Sequence, residues 1–352
     1  MKLRSIELLR GLAALSVAVA HSDSLIGGNA DLPFAAWHSF KMPGTAGVEF
    51  FFVLSGFVMA IAHGREIAEG GHVGRFLWKR FCRIYPLYWI VLAIPLYRFW
   101  GAPLLTPGAI LAWCSLLPIR TDNLLVVAWT LRQEVTFYLV LALCLIPRIG
   151  RYVLLAWVGV TVAWWTVVPQ TPLPTMLNAV MSPFDFEFFA GLGAGWLMTR
   201  WPAPRGVARL ILGAGIAGLA WRMGIDGWGV EYGPTSARPL YGAAYAAIIL
   251  GCASLERSGA LRFGPRGTAI AAMAGALSYP LYLSHLLTLD AVAHWIGPSG
   301  WAARIGPDGT FVLMLSMAVL ASAALAVAID QPVQRLLRSV GHGKRSGIPV
   351  PG

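Results

Sequence analysis

Ten apolar stretches, each about long enough to cross the hydrocarbon core of a bilayer, recur along this chain of 352 residues. A helix rises ~1.5 Å per residue, so a ~30 Å core needs ~20 predominantly apolar residues. The stretches fall at about 5–25, 46–63, 80–98, 126–147, 150–168, 180–199, 207–225, 238–255, 268–290 and 309–332. In lipid every backbone N–H and C=O must be satisfied within the segment, which makes such runs helices. The sequence therefore reads as an all-α polytopic membrane protein of about ten transmembrane helices. One domain covers 1–340, and a short basic tail follows over 341–352. Only 12% of residues are charged, against about 25% in soluble proteins. Between Arg98 and the fourth stretch, Pro103, Pro107 and Pro118 break an apolar run, so 103–118 is expected to be an interfacial or re-entrant helix.

An even number of spans puts both termini on one side, and the basic residues choose that side. The loops on the terminal side hold 20 of the 27 Lys and Arg; the opposite loops hold six, and Arg132 lies inside a span. Lys and Arg accumulate in cytoplasmic loops, so both termini are expected in the cytoplasm. The same bias accounts for the net charge of +11 without a nucleic-acid partner. Lys2, Arg4 and the apolar run ending in Ala18-Val19-Ala20 also resemble a signal peptide, but Glu7 and Arg10 do not suit that pattern. Cys82, Cys114, Cys144 and Cys252 are scattered and form no CxxC pair; neither a P-loop nor HExxH occurs, and no metal site is expected. Most of the fifteen tryptophans suit an interfacial belt. His63, His72 and His342 fall in cytoplasmic segments and are expected to be solvated.

Ionisable residues inside spans are costly, and each is a candidate functional group. Arg10 and His21 share the first stretch, eleven residues apart. That spacing is close to three helical turns, so both leave one helix face, ~16 Å from each other along the axis. A cation at one depth and a titratable base at another suit chemistry that reaches across the membrane.

Six segments in order carry a family resemblance: Arg10-x10-His21; Gly47-Val48-Glu49-Phe50-Phe51-Phe52-Val53-Leu54-Ser55-Gly56-Phe57; Arg80-Phe81-Cys82-Arg83-Ile84-Tyr85-Pro86; Trp129-Thr130-Leu131-Arg132-Gln133-Glu134-Val135-Thr136-Phe137-Tyr138; Glu187-Phe188-Phe189-Ala190-Gly191; and Leu277-Ser278-Tyr279-Pro280-Leu281-Tyr282-Leu283-Ser284-His285. Together they resemble the acyltransferase 3 family of membrane O-acyltransferases, most of all its stand-alone exopolysaccharide and lipopolysaccharide O-acetyltransferases. The resemblance implies a cytoplasmic acyl-CoA donor, most simply acetyl-CoA, as co-substrate. It also implies a glycan or glycolipid hydroxyl as acceptor, a place in the bacterial inner membrane, and polysaccharide-assembly proteins as possible partners. The chain departs from the pattern at Asp330-Gln331-Pro332, where Gln separates the acidic residue from Pro, and at Arg132, where a small or polar residue is usual.

Within that frame, His21 is the expected general base for the acceptor hydroxyl, or a transient acyl carrier; the plain alternative is a histidine at a helix end. Arg10, Arg80 and Arg83 are expected to hold the CoA phosphates, for which guanidinium forks are suited; the alternative is ordinary positive-inside charge. Glu134 and Glu49 are expected to orient His21, as a carboxylate orients a catalytic imidazole; the alternative is a structural ion pair, such as Glu134 with Arg132. Tyr279, Ser284 and His285 are candidates for the acceptor site, or for hydrogen bonds between helices; Trp129, beside the Glu134 motif, is a further acceptor-site candidate, with an interfacial belt position as its alternative. Two other readings stay open: a secondary transporter, although no internal repeat is evident, and an acyltransferase with a succinyl or longer donor or a non-carbohydrate acceptor.

Overall fold

The computed structural model describes residues 3–28, 32, 46–167, 173–201, 203–226 and 237–342. Among them, helices are the only regular structure. In order they are α1 (Arg4–Gly28), α2 (Ala46–Glu69), α3 (Val73–Arg98), α4 (Pro107–Ser115), α5 (Ala128–Leu143), α6 (Gly150–Val167), α7 (Thr175–Val180), α8 (Asp185–Arg200), α9 (Arg205–Asp226), α10 (Arg238–Arg257), α11 (Pro265–Ile296), α12 (Trp301–Leu325) and α13 (Gln331–His342). A π-helical turn over Ala326–Asp330 joins the last two. Among the described residues, five segments are long and apolar enough to cross a membrane: Gly47–Ile67, Arg205–Ile225, Arg238–Arg257, Pro265–Ile296 and Trp301–Leu337. Every helix of sixteen residues or more lies on one of the ten apolar stretches. The tail expected over 341–352 falls, beyond the end of α13, outside the described residues.

The side chains fix how the long helices run against each other. A Cβ on Gly11 of α1 would meet Ala274 of α11, and His21 meets His285 further along, so α1 and α11 are parallel. α3 runs parallel to α11 as well, through Tyr279 to Ile84 and Arg98 to Asp290. α2 and α8 are parallel and in backbone contact: a Cβ on Gly191 would strike the Val53 carbonyl, one on Gly195 would strike that of Phe57, and one on Gly56 would strike that of Phe188. α9 and α10 are antiparallel, with Gly215 facing Ala244 and Ile248 while Gly251 faces Leu212. In lipid, where apolar burial does not drive helices together, small residues that let backbones approach are what bind them. Gly191→Ala is therefore expected to lower unfolding stability by about 1–3 kcal/mol, read as a fall in melting temperature of the purified protein, while alanine at Gly193, which faces open space, is expected to be silent.

Charged groups close the bundle at one end. Glu256, at the end of α10, accepts the backbone N–H groups of Arg4 (2.7 Å) and Ser5 (2.8 Å) and the Ser5 hydroxyl (2.6 Å). A carboxylate there satisfies orphan donors at the start of α1 and complements its dipole.

The proline-broken run after Arg98 is a short helix, as expected, and its burial is explained by its partners. Thr106 caps α4 by accepting from Ala109 N–H (3.2 Å), and Leu116 ends it in the left-handed region (φ 54°). The carbonyls of Trp113, Cys114 and Ser115, which have no partner in the helix, accept from Tyr88, Trp89 and Tyr85 of α3. Side chains of α3 thus satisfy the backbone carbonyls that the end of α4 leaves without a partner.

Three expectations change. α3 begins at Val73 rather than near residue 80, so Arg80 and Arg83 lie within the helix and not at its edge; hydropathy marks only the apolar part of a helix. His63 is buried, 2.7 Å from Glu66 and edge-on to Phe76, rather than solvated. Glu49 is buried beside Arg238 (3.4 Å), which also reaches Glu187 (3.2 Å) and lies over the Phe184 ring. Among the described residues it joins α2, α8 and α10 and makes no contact with His21: a carboxylate in the first turn of α2 pairs with a buried cation. A buried pair of this kind costs heavily to break and fixes the helices' positions more than it adds stability.

Candidate active site

A cavity of about 680 Å³ lies between α1, α2, α3, α5, α11 and α13. Arg75, Trp78 and Lys79, near the start of α3, line it together with Gln334 and Leu337 of α13; Thr130 and Tyr282 line it deeper in the bundle. All three arginines expected to hold the donor, Arg10, Arg80 and Arg83, face this one space, and so do Glu134 and Tyr279.

The three guanidiniums are poorly neutralised. The Nε atoms of Arg10 and Arg80 are buried with no hydrogen-bond partner, and neither side chain has an ion pair among the described residues. Arg80 rests against the rings of Phe76 (5.8 Å) and Tyr138 (5.5 Å). Arg83 lies over Tyr279 (5.1 Å) and reaches Asp330 at 3.9 Å. Burying charge without a partner is expensive, and buried arginines are ordinarily paired. Cations left in this state around an open volume make a site for an anion, and guanidinium geometry favours phosphate.

Glu134 sits on the wall of the cavity in α5. It accepts from the Ser55 hydroxyl (2.9 Å) and from Tyr138 OH (2.5 Å), one turn further along its own helix. It pairs with neither His21 nor Arg132, so its expected role as the orienting group for His21 is corrected. Arg132 instead holds the loop before α5, donating to the carbonyls of Arg120 (2.7 Å) and Thr121 (3.2 Å). Side chains on a helix point back over the preceding turn, and that takes the Arg132 fork towards this loop and away from Glu134.

Among the described residues, His21 meets the ring of His285. The two rings are 5.0 Å apart, and His285 Nε2 lies 3.1 Å from His21 Nδ1. The proton positions follow from what each atom faces. His285 Nδ1 is 3.0 Å from the Leu281 carbonyl, which can only accept, so this nitrogen carries the hydrogen and Nε2 of the neutral ring is an acceptor. His21 Nδ1 is also 3.0 Å from a carbonyl, that of Val17. It therefore donates, and the basic lone pair of His21 is on Nε2. His285 is fully buried, with Tyr282 between it and the cavity: the Tyr282 ring centroid is 6.0 Å from that of His285, and its hydroxyl is 2.6 Å from Thr130 Oγ1.

The other candidates divide. Tyr279 lines the cavity and donates to the Ile84 carbonyl at 2.7 Å. Trp129 packs against Phe52 and Phe184 and does not line the cavity. Ser284 donates to the Pro280 carbonyl (2.8 Å) and lines a separate groove towards α12. Sequence reasoning passed over Ser55, Tyr138 and Tyr282. Each stood inside a quoted motif, and the spacings Glu134–Tyr138 and Tyr282–His285 already placed those pairs on common helix faces.

The chain is similar to the exopolysaccharide production protein ExoZ of Rhizobium meliloti, with 28% identity over 88% of this chain and 93% of that protein. It is also similar to acyltransferase MdmB of Streptomyces mycarofaciens, 27% identical over 96% of this chain and 93% of the relative. A shorter similarity, 38% identity over 24% of this chain and 40% of the other, links it to protein 2 in the picA locus of Rhizobium radiobacter. No solved structure matches it. The family described as the acyltransferase domain matches residues 3–329, nearly all of the helical bundle and the whole set of cavity arginines. The chain belongs to this family, and it is a membrane acyltransferase of the acyltransferase 3 type.

Proposed function

We propose that the protein moves an acyl group, most simply acetyl, from cytoplasmic acyl-CoA to a hydroxyl of a cell-surface polysaccharide or its lipid-linked precursor. The observation that carries the donor assignment is the set of three converging arginines, two of them without an ion pair among the described residues, around a space of about 680 Å³. The acceptor assignment draws on the exopolysaccharide relative.

In this reading the CoA phosphates lie against Arg10, Arg80 and Arg83, and the thioester points into the bundle towards Tyr282 and the histidine pair. The acceptor hydroxyl attacks the thioester carbonyl and gives its proton to Nε2 of His21. The carbon–sulfur bond breaks, and the thiolate leaving group takes up the proton that His21 had accepted, which returns the ring to its neutral form. His285 holds the His21 ring and its tautomer through the 3.1 Å contact and is a positioning residue. A carboxylate is the usual orienting group for a catalytic imidazole; a second histidine, itself fixed by the Leu281 carbonyl, serves here.

Ten spans with both termini in the cytoplasm fit the packing. Helices of the same parity in the expected order (α1 with α11, α3 with α11, α2 with α8) run parallel, and α9 and α10, which differ in parity, run antiparallel. The end of the cavity lined by the start of α3 then faces the cytoplasm, where acyl-CoA is found.

His285→Ala is expected to lower kcat about tenfold or more with little change in the KM for the donor, by the logic that loss of an orienting group misplaces the base. His285→Gln, which offers an acceptor oxygen, is expected to recover part of the loss. The check is a steady-state assay of acetyl transfer with its pH profile: a positioning role moves the acid limb of kcat, and a purely structural role leaves it in place.

A further inference from the structure

We infer that Trp78 is the stacking platform for the adenine of the donor, with Arg75 and Lys79 beside it for the nucleotide phosphates; this rests on the acyl-CoA reading above. Trp78 lines the cavity yet is 44% exposed. One face of its indole is covered by Phe81, 5.6 Å away at an interplanar angle of 15°. Phe81 is stacked in turn on Tyr85, 4.9 Å away at 21°. Tyr85 is pinned by its hydrogen bond to the Ser115 carbonyl (2.6 Å). The spacing 78, 81, 85 keeps the three rings on one face of α3, and the chain of contacts ends on the short helix α4. The indole is thus held in place before any ligand arrives, so little ordering cost is left for binding.

The neighbours of Trp78 distinguish it from an ordinary interfacial tryptophan. Arg75, one turn before it, and Lys79, next to it, line the same cavity. Arg75 is only loosely engaged, 3.7 Å from Glu66. CoA is an asymmetric ligand: an aromatic base and phosphates at one end, an uncharged pantetheine thioester at the other. The cavity has the same asymmetry, with an exposed aromatic face among cations where α3 begins and hydroxyl and apolar groups around Tyr282. The three arginines deeper in the cavity can hold phosphate but offer no flat surface for the base. Trp78 supplies that surface, and aromatic stacking accepts any base while retaining the nucleotide end as a whole.

The test compares two donors on the full-length protein in lipid nanodiscs: acetyl-CoA, and S-acetyl-phosphopantetheine, which lacks the adenosine half. Trp78→Ala is expected to raise the dissociation constant for acetyl-CoA about tenfold and to leave that for S-acetyl-phosphopantetheine unchanged, with Trp78→Phe retaining most of the affinity for acetyl-CoA. An unaltered melting temperature without ligand verifies that the alanine variant is folded. Equal weakening for both donors, or no weakening for acetyl-CoA, overturns the platform while leaving the donor assignment standing. If the wild-type protein binds neither donor, the acyl-CoA reading fails, and the platform with it.

Discussion

Replacing His21 by alanine lowers the rate of acyl transfer by about 10²–10⁴-fold, the range general-base catalysis contributes, and leaves the dissociation constant for acetyl-CoA unchanged. The separation follows from where the residue sits. Arg10 and His21 are on one helix, but only Arg10 borders the cavity; His21 is paired with His285. Losing the imidazole removes the group that takes the hydroxyl proton and removes no contact with the phosphates. His21→Gln restores the contact with His285 but supplies no base, and is expected to be as slow as the alanine variant. The measurement is single-turnover acetyl transfer beside equilibrium binding of the donor. A His21→Ala protein that transfers at near wild-type rate would take this residue out of the chemistry.

Exchanging both Arg10 and Arg80 for methionine weakens acetyl-CoA binding by about 10²–10⁴-fold, because each hydrogen bond to a charged group contributes about 1.5–3 kcal/mol. The same double variant is expected to be at least as stable as the wild type when no ligand is bound. That sign is the informative part. A structural arginine holds a partner, and removing it strands a buried charge. Arg10 and Arg80 hold none among the described residues, and the Nε atom of each is buried without a hydrogen bond. Methionine fills much the same space and ends the mutual repulsion of the cations, while Glu134 on the same wall keeps its hydrogen bonds from Ser55 and Tyr138. Donor titrations and apo melting curves on one preparation read both effects. A large loss of apo stability would mark these arginines as scaffold. Arg238 is the internal contrast: it joins Glu49 and Glu187, and its loss would leave two carboxylates buried without their cation.

Much of the fold was legible in the sequence because a bilayer allows so few solutions. Apolar runs of the right length must be helices, and the long helices fall on those runs even where Pro86 and Pro95 lie inside α3. The three prolines between residues 103 and 118 marked α4 correctly, since the pattern breaks where proline ends a helix. The basic floor of the site was legible for a similar reason: Arg10, Arg80 and Arg83 were each conspicuous as charge among apolar residues. What the sequence could not supply was the partner of each polar group. Glu49, Glu134 and His21 were grouped because all three are ionisable groups within apolar stretches. The bundle sends Glu49 to Arg238 in α10, Glu134 to Ser55 in α2, and His21 to His285 in α11. Those choices depend on how helices rotate and pack, and glycine contacts such as Gly56 on Phe188 and Gly191 on Val53 set that packing. Depth along a helix is a one-dimensional property that a sequence displays; the facing of one helix on another is not.

The most direct measurement is the melting temperature of the purified protein with and without saturating acetyl-CoA, in the wild type, in Arg10→Met/Arg80→Met and in His21→Ala. A ligand that binds only the folded state stabilises it, by about 2.7 kcal/mol at one hundred times its dissociation constant. A cavity that holds the donor on its arginines, apart from the base that works on the acceptor, predicts stabilisation in the wild type and in His21→Ala and its loss in the double variant. No stabilisation of the wild type, or the same stabilisation in all three proteins, would contradict it.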